Sequence, residues 1–564
     1  MFEDLELHQS GVDIWAGLEC TLNRVGDTYR DQLSENGHYY RKDDLRLIAS
    51  LGVSTMRYPL LWEKHQPQAD AEIDWSWAET QLGLMKSLEI TPIVGLVHHG
   101  SGPVFTDLLD EGFAEKLAAY ALKVAQRFPG VTMYTPVNEP LTTARFSGLY
   151  GLWYPHKCDD TSFLLMLINQ VKGIVLSMQE IRKINPDARL IQTEDLAMTH
   201  SSPMFAAQAT FENHRRWLTN DLLLGKVDKS HPLWDYFIDN GIQEDKLLFF
   251  VNNPTPPDII GWNYYATSER YLVTASDGQF QGFSGTALSY EDQVAVRHGK
   301  ARGLKSLLIQ AFNRYQFPMA ITECHLSCSR EEQLRWFKEV WEACNDLKKS
   351  GFNLRAVTSW SVMGAIDWNS LVTQDNKFYE SGAFDISGGM TRPTALAGMI
   401  KTLLSGRRFD HPLLYNRGWW DRNQRRAFDS HPQRKIAPLL LIGERRLILE
   451  AFERACEQRA ITYKSWGRGT WDQLDGFLSN KNLPAPWGAV LFDEEHTSKS
   501  IGLFENNASI ELLSIESEVE TITDIDLYVS EQLDLFIDRA ILGRSGLQYA
   551  FVNPVEEVLV YQER

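Results

Sequence analysis

The chain has 564 residues, 43% of them apolar, 11% aromatic and 23% charged, with a formal net charge of −18. That length calls for two or three globular domains. The acidic surface repels phosphate backbones and anionic lipid, which argues against nucleic acid and membrane surfaces as partners.

The opening stretch MFEDLELHQSGVDIW is acidic and lacks a basic–apolar–small pattern, so no secretory signal is expected. No apolar run is expected to reach the roughly 20 residues of a membrane span. Cys20, Cys158, Cys324, Cys328, Cys344 and Cys456 are scattered without CxxC spacing, which predicts neither a disulfide framework nor a zinc ribbon. A reduced, cytoplasmic compartment is the resulting expectation. Strand-like apolar runs fall at Asp13–Gly17, Val53–Tyr58, Thr91–Val97, Val131–Val137, Arg189–Glu194, Asp258–Asn263, Pro318–Glu323 and Arg355–Ser361. Amphipathic helical stretches alternate with them, among them 42–51, 112–127, 161–184 and 331–349. Eight β-then-α units in one region predict an α/β fold, a closed (β/α)8 TIM barrel over residues 1–405. Residues 406–435 are basic and rich in arginine and tryptophan, and read as a connector packed on the barrel. From 436, IAPLLLIG, RRLILEAFERACEQRA and ITYKSW form the opening βαβ of a smaller Rossmann-like domain running to 564. Where GxGxxG is expected the chain has Gly443-Glu-Arg-Arg, so the domain is degenerate and lacks a nucleotide-binding loop.

Chemistry in such barrels sits where strands end and the following loops begin. Those positions hold Arg57, His98 and His99, Asn138 and Glu139, Glu194, Asn263 to Tyr265, Glu323 and Trp360. VTMYTPVNEP delivers Asn138 and Glu139 at the end of the fourth strand, and PMAITECH delivers Glu323 at the end of the seventh. Two facing carboxyls are what glycosidic cleavage needs: one protonated to supply the leaving oxygen, one ionised to attack the anomeric carbon. At a separation of about 5–5.5 Å the outcome is a covalent intermediate and retained configuration. Arg57 would keep the attacking carboxylate ionised and Asn138 could hold a sugar 2-hydroxyl. Asn263 and Glu194 are further candidates for substrate hydroxyls, a structural salt bridge being the other reading of Glu194. His98, His99 and Glu194 lack metal-ligand spacing, so no metal is expected and no cofactor is called for. Seventeen tryptophans suit a site that stacks sugar rings as well as filling a core.

These segments resemble glycoside hydrolase family 1, the β-glucosidase family of retaining (β/α)8 enzymes. TPVNEP resembles the family's T-x-N-E-P, which implies Glu139 as acid/base beside Asn138, and ITECH resembles I-T-E-N-G, which implies Glu323 as nucleophile. MRYPLLWEK is similar to the segment that carries the family arginine, here Arg57. GLVHHGSGP is similar to the third-strand segment and implies His99 on the sugar 3-hydroxyl. DIIGWNYYAT implies a tyrosine on the nucleophile, Tyr265 or Tyr264. SWSVMGAIDW implies Trp360 as sugar platform with Trp368 as the second tryptophan. The resemblance spans the whole barrel in the family's order.

Departures concentrate in substrate recognition. The family glutamate that grips the 4- and 6-hydroxyls is replaced by Asp367, and the third-strand loop has Gly100 and Ser101 for tryptophan and aspartate. Glu19, Asn23 and Arg24 are the candidates to stand in for an N-terminal glutamine. The implied activity is hydrolysis of β-glycosides, with a small carbohydrate or glycoside as substrate. Transglycosylation with the same glutamates and an idle carbohydrate-binding scaffold are the alternatives. Residues 436–564 resemble a truncated dTDP-4-dehydrorhamnose reductase of the short-chain dehydrogenase group, without its glycine loop and without Tyr-x-x-x-Lys. This implies a domain that binds no NAD(P) and serves to stabilise the barrel or to mediate homo-oligomerisation.

Overall fold

In the computed structural model, residues 11–274, 280–281, 289–327, 330–387, 391–415, 417–421, 438–458, 461–467, 471–480, 486–492, 511–515, 525, 528–529, 532–533 and 536 are described. The chain divides into two compact units. One comprises Met1–His325, Phe337–Phe378 and Leu404–Gly406, and the other Leu326–Trp336, Tyr379–Leu403 and Arg407–Arg564.

The first unit contains eight parallel strands: β1 (Asp13–Gly17), β2 (Thr55–Pro59), β3 (Thr91–His98), β4 (Met133–Asn138), β5 (Arg189–Asp195), β6 (Ile259–Tyr264), β7 (Met319–Cys324) and β8 (Leu354–Ser359). They close in the order β1-β8-β7-β6-β5-β4-β3-β2. The predicted strands are all present, displaced by at most two residues at either end. Trp15, Ile93, Met133, Ile191, Ile259, Ala320 and Ala356 pack together as a buried layer contributed by seven of the strands. That apolar floor leaves the carboxyl ends of the strands to the polar groups.

Helix Phe113–Arg127 buries Phe113, Leu117, Tyr120, Ala121 and Val124, a stripe at helical spacing. The helix Asp160–Ile184 shares a core with it through Phe163, Leu167, Val171 and Ile174. This helix has 25 residues and contains an 18-residue window of mean hydropathy 1.4, its apolar residues being interrupted by Asn169, Gln170 and Lys172. Fourteen of its residues are buried, so its apolarity is used against the barrel strands and the neighbouring helix. A further four-stranded sheet, built from Met198–Ser201, Glu269–Thr274, Phe280–Gln281 and Ser289–Val294, arises from the segments that follow β5 and β6.

The second unit holds a parallel sheet of β9 (Leu439–Ile442), β10 (Tyr463–Trp466), β11 (Gly488–Leu491) and β12 (Glu511–Ser514), ordered β10-β9-β11-β12. Alternate residues of β9 face opposite clusters. Leu439 and Leu441 meet Ile448, Phe452 and Cys456 of helix Arg446–Gln458, whereas Leu440 and Ile442 meet Leu474 of helix Trp471–Ser479. Helices on both faces make this a doubly wound α/β sheet. The Phe492 ring occupies the space above Gly443, where an added Cβ would lie 2.4 Å from it. From the arginine-rich segment, Trp420 meets Trp336 edge-on at 4.9 Å. Most of that segment beyond Asp421, and most of the stretch 527–554 compared above with a reductase, lie outside the described residues.

Candidate active site

Two glutamates converge on the carboxyl ends of the barrel strands. β4 ends at Asn138, and Glu139 follows in the left-handed region with φ +45° before helix Pro140–Ala144 begins. Its N–H donates to the Thr193 carbonyl at 3.2 Å. Asn263 Nδ2 donates to Glu139 Oε1 at 2.7 Å, and His99 Nε2 stands 3.7 Å from Oε2. Burial raises the Glu139 carboxyl well above the ordinary range, and repulsion from Glu323, Glu194 and Asp195 adds to this. Its environment therefore favours the protonated form.

Glu323 is presented from β7, where an irregularity between Ile321 and Glu323 shifts the register and brings Glu323 level with Asn263 of β6. Such bulges re-aim a side chain. Arg57 Nη1 donates to Glu323 Oε1 at 2.8 Å, and the Tyr265 hydroxyl donates to Oε2. Burial pushes the Glu323 carboxyl up to about 7, while Arg57 and Tyr265 hold it down and Glu19 pushes it further up. Two neighbouring carboxyls are thus set apart: Glu139 keeps its proton, and Glu323 is the one stabilised as an anion.

Arg57 also reaches across the barrel, with Nη2 2.6 Å from Asn138 Oδ1, an oxygen that Thr193 Oγ1 meets at 2.7 Å. Asn138 Nδ2 faces His98 Nε2 at 3.2 Å and His99 Nε2 at 3.4 Å. His98 stacks on Trp360 with ring centroids 5.3 Å apart. Trp360 lies over Gly17, where any Cβ would stand 2.4 Å from the indole, so β1 must carry glycine there. The Trp360–Ser361 bond is cis. The Trp360 indole donates to Glu19 Oε2 at 3.2 Å, and Glu19 Oε1 accepts from Thr21 N. Burial raises the Glu19 carboxyl above its ordinary range, and the bonds from Thr21 and Trp360 hold it down. Trp368 meets His99 at 5.6 Å and Trp153 at 6.2 Å, both edge-on.

Of the two candidate tyrosines, Tyr265 reaches Glu323, while Tyr264 is 3.5 Å from Glu269. Two expected substrate contacts have other tasks. Glu194 accepts from Leu141 N at 2.9 Å, Thr219 Oγ1 at 2.7 Å and Thr142 Oγ1 at 3.2 Å. It therefore caps the helix after Glu139 instead of facing the mouth. Alternation explains this, since Thr193 points inward to Asn138 and Glu194 must point the other way. Asp367 is fully buried: Oδ2 accepts from Arg30 Nη2 at 2.9 Å and Asn376 N at 3.0 Å, and Oδ1 accepts from Phe378 N at 2.8 Å. Its carboxylate ties together its own loop and is not offered to a sugar, a correction to the role expected of it. Glu19, between two tryptophans, is the carboxylate that lies beside Trp360.

Thr193 and Thr322 were not singled out from the sequence. Thr322 Oγ1 donates to Asn263 Oδ1 at 2.7 Å and thereby turns the Asn263 amide nitrogen toward Glu139. Polar residues immediately before or at the strand ends were the signal for both. Among the described residues no group of three or more His, Cys, Asp or Glu side chains is arranged to hold a metal ion.

Residues 10–378 match the profile of Glycosyl hydrolase family 1. Coniferin beta-glucosidase of Pinus contorta is 20% identical over 413 residues, covering 64% of this chain and 80% of that protein. Beta-glucosidase 10 of Arabidopsis thaliana is 24% identical over 159 residues, 27% of this chain and 31% of that protein. Among solved structures, a Thermotoga maritima family 1 glycoside hydrolase complexed with a cyclophellitol analogue superposes with a TM-score of 0.58 at 14% identity, over 71% of this chain and 99% of that one. The beta-glucosidase from Exiguobacterium antarcticum does so at 0.56 and 15% identity, over 70% and 97%.

Proposed function

The chain belongs to glycosyl hydrolase family 1, and from that premise we propose that it hydrolyses β-O-glycosidic bonds with retention, by double displacement through a glycosyl-enzyme. Glu139 gives its proton to the leaving oxygen as the Glu323 carboxylate attacks the anomeric carbon, forming an ester. Glu139, now ionised, then takes a proton from water, whose oxygen attacks the same carbon and releases Glu323. The observation that carries this reading is the separation of the two acidities: Glu139 is flanked by carboxylates, and Glu323 is held by Arg57 and Tyr265. Trp360 supplies the sugar platform, and Asn138, His99 and Glu19 meet the glycone. Two relatives are named as beta-glucosidases, so a β-glucoside is the first substrate to test.

Residues 436–564 are read as a non-catalytic companion that binds no NAD(P). Phe492 fills the space at Gly443, and Arg445 donates its guanidinium to the carbonyls of Phe492 and Ile515. These contacts leave no open backbone cradle for a pyrophosphate at that turn.

The test is labelling with a 2-deoxy-2-fluoro-β-glucoside bearing a good leaving group. The expected result is one glycosyl adduct on Glu323, located by peptide mass spectrometry, with Glu323→Gln losing several orders of magnitude in turnover. An inverted product, or an adduct on another residue, sinks the mechanism.

A further inference from the structure

The loop that follows Glu139 carries a cation the mechanism does not use. Arg145 opens the π-helical turn Arg145–Leu149, directly after helix Pro140–Ala144. Single π-turns inside helices recur at functional sites. Its neighbours belong to the barrel mouth: Thr143 Oγ1 contacts His99 Nδ1 at 3.0 Å, and Phe146 packs edge-on against Trp153 at 4.9 Å. Trp153 in turn meets His99 at 5.2 Å.

The guanidinium is poorly matched by the protein. Nε and Nη2 both donate to one neutral oxygen, the Tyr150 hydroxyl, at 3.3 and 3.0 Å. Among the described residues no carboxylate forms an ion pair with Arg145. The acidic groups that act on it or are acted on by it through space have other partners. Asp292 is paired with Arg270 at 2.7 Å, Asp195 accepts from Ser268, and Glu212 accepts from Thr199 at 2.9 Å. Arg145 is half-buried, and among the described residues no acceptor meets its Nη1. A guanidinium with free donors, in a chain of net charge −18, is a ready partner for a carboxylate or phosphate.

Its position fixes which part of a substrate it would meet. The acid/base stands on the leaving-group side of the scissile bond, and Arg145 lies further out along the same loop. Resting on the glycosidase reading above, we propose that the aglycone site is built for an anionic leaving group, whose carboxylate or phosphate is received by Arg145. Phe146 and Trp153 flank the aglycone beside it.

The test uses two nitrophenyl β-glucosides of equal size, one with a ring carboxylate and one with a ring carboxamide. For the unaltered enzyme, kcat/KM for the carboxylate exceeds that for the carboxamide by about tenfold, mostly in KM, and the ratio falls with added salt. In Arg145→Gln the ratio drops to about one, and Arg145→Lys restores part of it. Because the ratio is internal to each variant, loss of folded protein does not disturb it. Turnover of both glucosides without preference, or a preference that survives in Arg145→Gln, overturns this inference and leaves the glycosidase reading standing. No turnover of either glucoside overturns both.

Discussion

Arg57 and Glu323 are held together at 2.8 Å, both buried, and this contact is what keeps the Glu323 carboxyl from rising further than about 7. The raised pKa places the acid limb of kcat/KM for an aryl β-glucoside near pH 7. The alkaline limb is set by Glu139, whose carboxyl burial and neighbouring carboxylates raise. Replacing Arg57 by Met removes the stabilising charge. The acid limb then moves to higher pH and kcat/KM falls by about two to three orders of magnitude, which a pH–rate profile measures.

Glu19 acts on Glu323 in the opposite sense, as a like charge. Glu19→Gln is expected to shift the acid limb to lower pH while the protein stays folded. The same variant raises KM for glucosides by about tenfold if Glu19 meets the glycone. An unmoved acid limb would remove Glu19 from the neighbourhood of the nucleophile.

Glu139 has a folded-state pKa above its unfolded value, so its protonated form is the one that folding favours. The stability it contributes is fully present below the unfolded pKa and is lost as pH rises through the folded value. Glu139→Gln keeps an acceptor for Asn263 without the ionisation. At pH 8 it should raise Tm by about 2–4 °C over the unaltered protein, and by pH 4 the difference should vanish. Calorimetry at the two pH values decides it.

Asp367 is expected to matter for folding rather than for sugar affinity. Asp367→Ala takes one of two hydrogen-bonded carboxylate partners from Arg30, leaves three loop N–H groups without their acceptor and should cost about 3–5 kcal/mol in denaturant unfolding. If the variant unfolds like the unaltered chain but loses glucoside binding, the assignment is reversed.

Gly17→Ala places a methyl into the Trp360 indole. The expected cost is about 1–3 kcal/mol together with a raised KM, since the platform must tilt. Protein fluorescence and steady-state kinetics report the two effects separately.

The barrel was legible because its strands are buried on both faces and read as short apolar runs, each ending in a polar group. Glu139, Glu323, Arg57 and Asn138 were readable for the same reason, as residues at strand ends. Glu194 and Asp367 were not. Their partners are backbone N–H groups of Leu141, Asn376 and Phe378, supplied by loop conformations that no side-chain pattern encodes. Strict alternation along RLIQTED would have turned Glu194 away from Asn138. The long helix Asp160–Ile184 was readable as the stretch 161–184, whereas the burial of its polar Asn169, Gln170 and Ser177 is revealed only by packing. Arg145 gave no signal, since its meaning lies in the partners it lacks.

The hydrogen-bond chain that starts at Arg57 has a direction. A guanidinium and the Thr193 hydroxyl both donate to Asn138 Oδ1, so the carboxamide cannot be turned over and its nitrogen must donate onward to the imidazoles. His99 therefore keeps a lone pair on Nε2 and a proton on Nδ1 for Thr143. The one lone pair of Nε2 is thereby committed to the Asn138 amide, and the ring has no N–H to offer on that side. The orientation of one amide thus fixes which nitrogen of the neighbouring imidazole carries its proton.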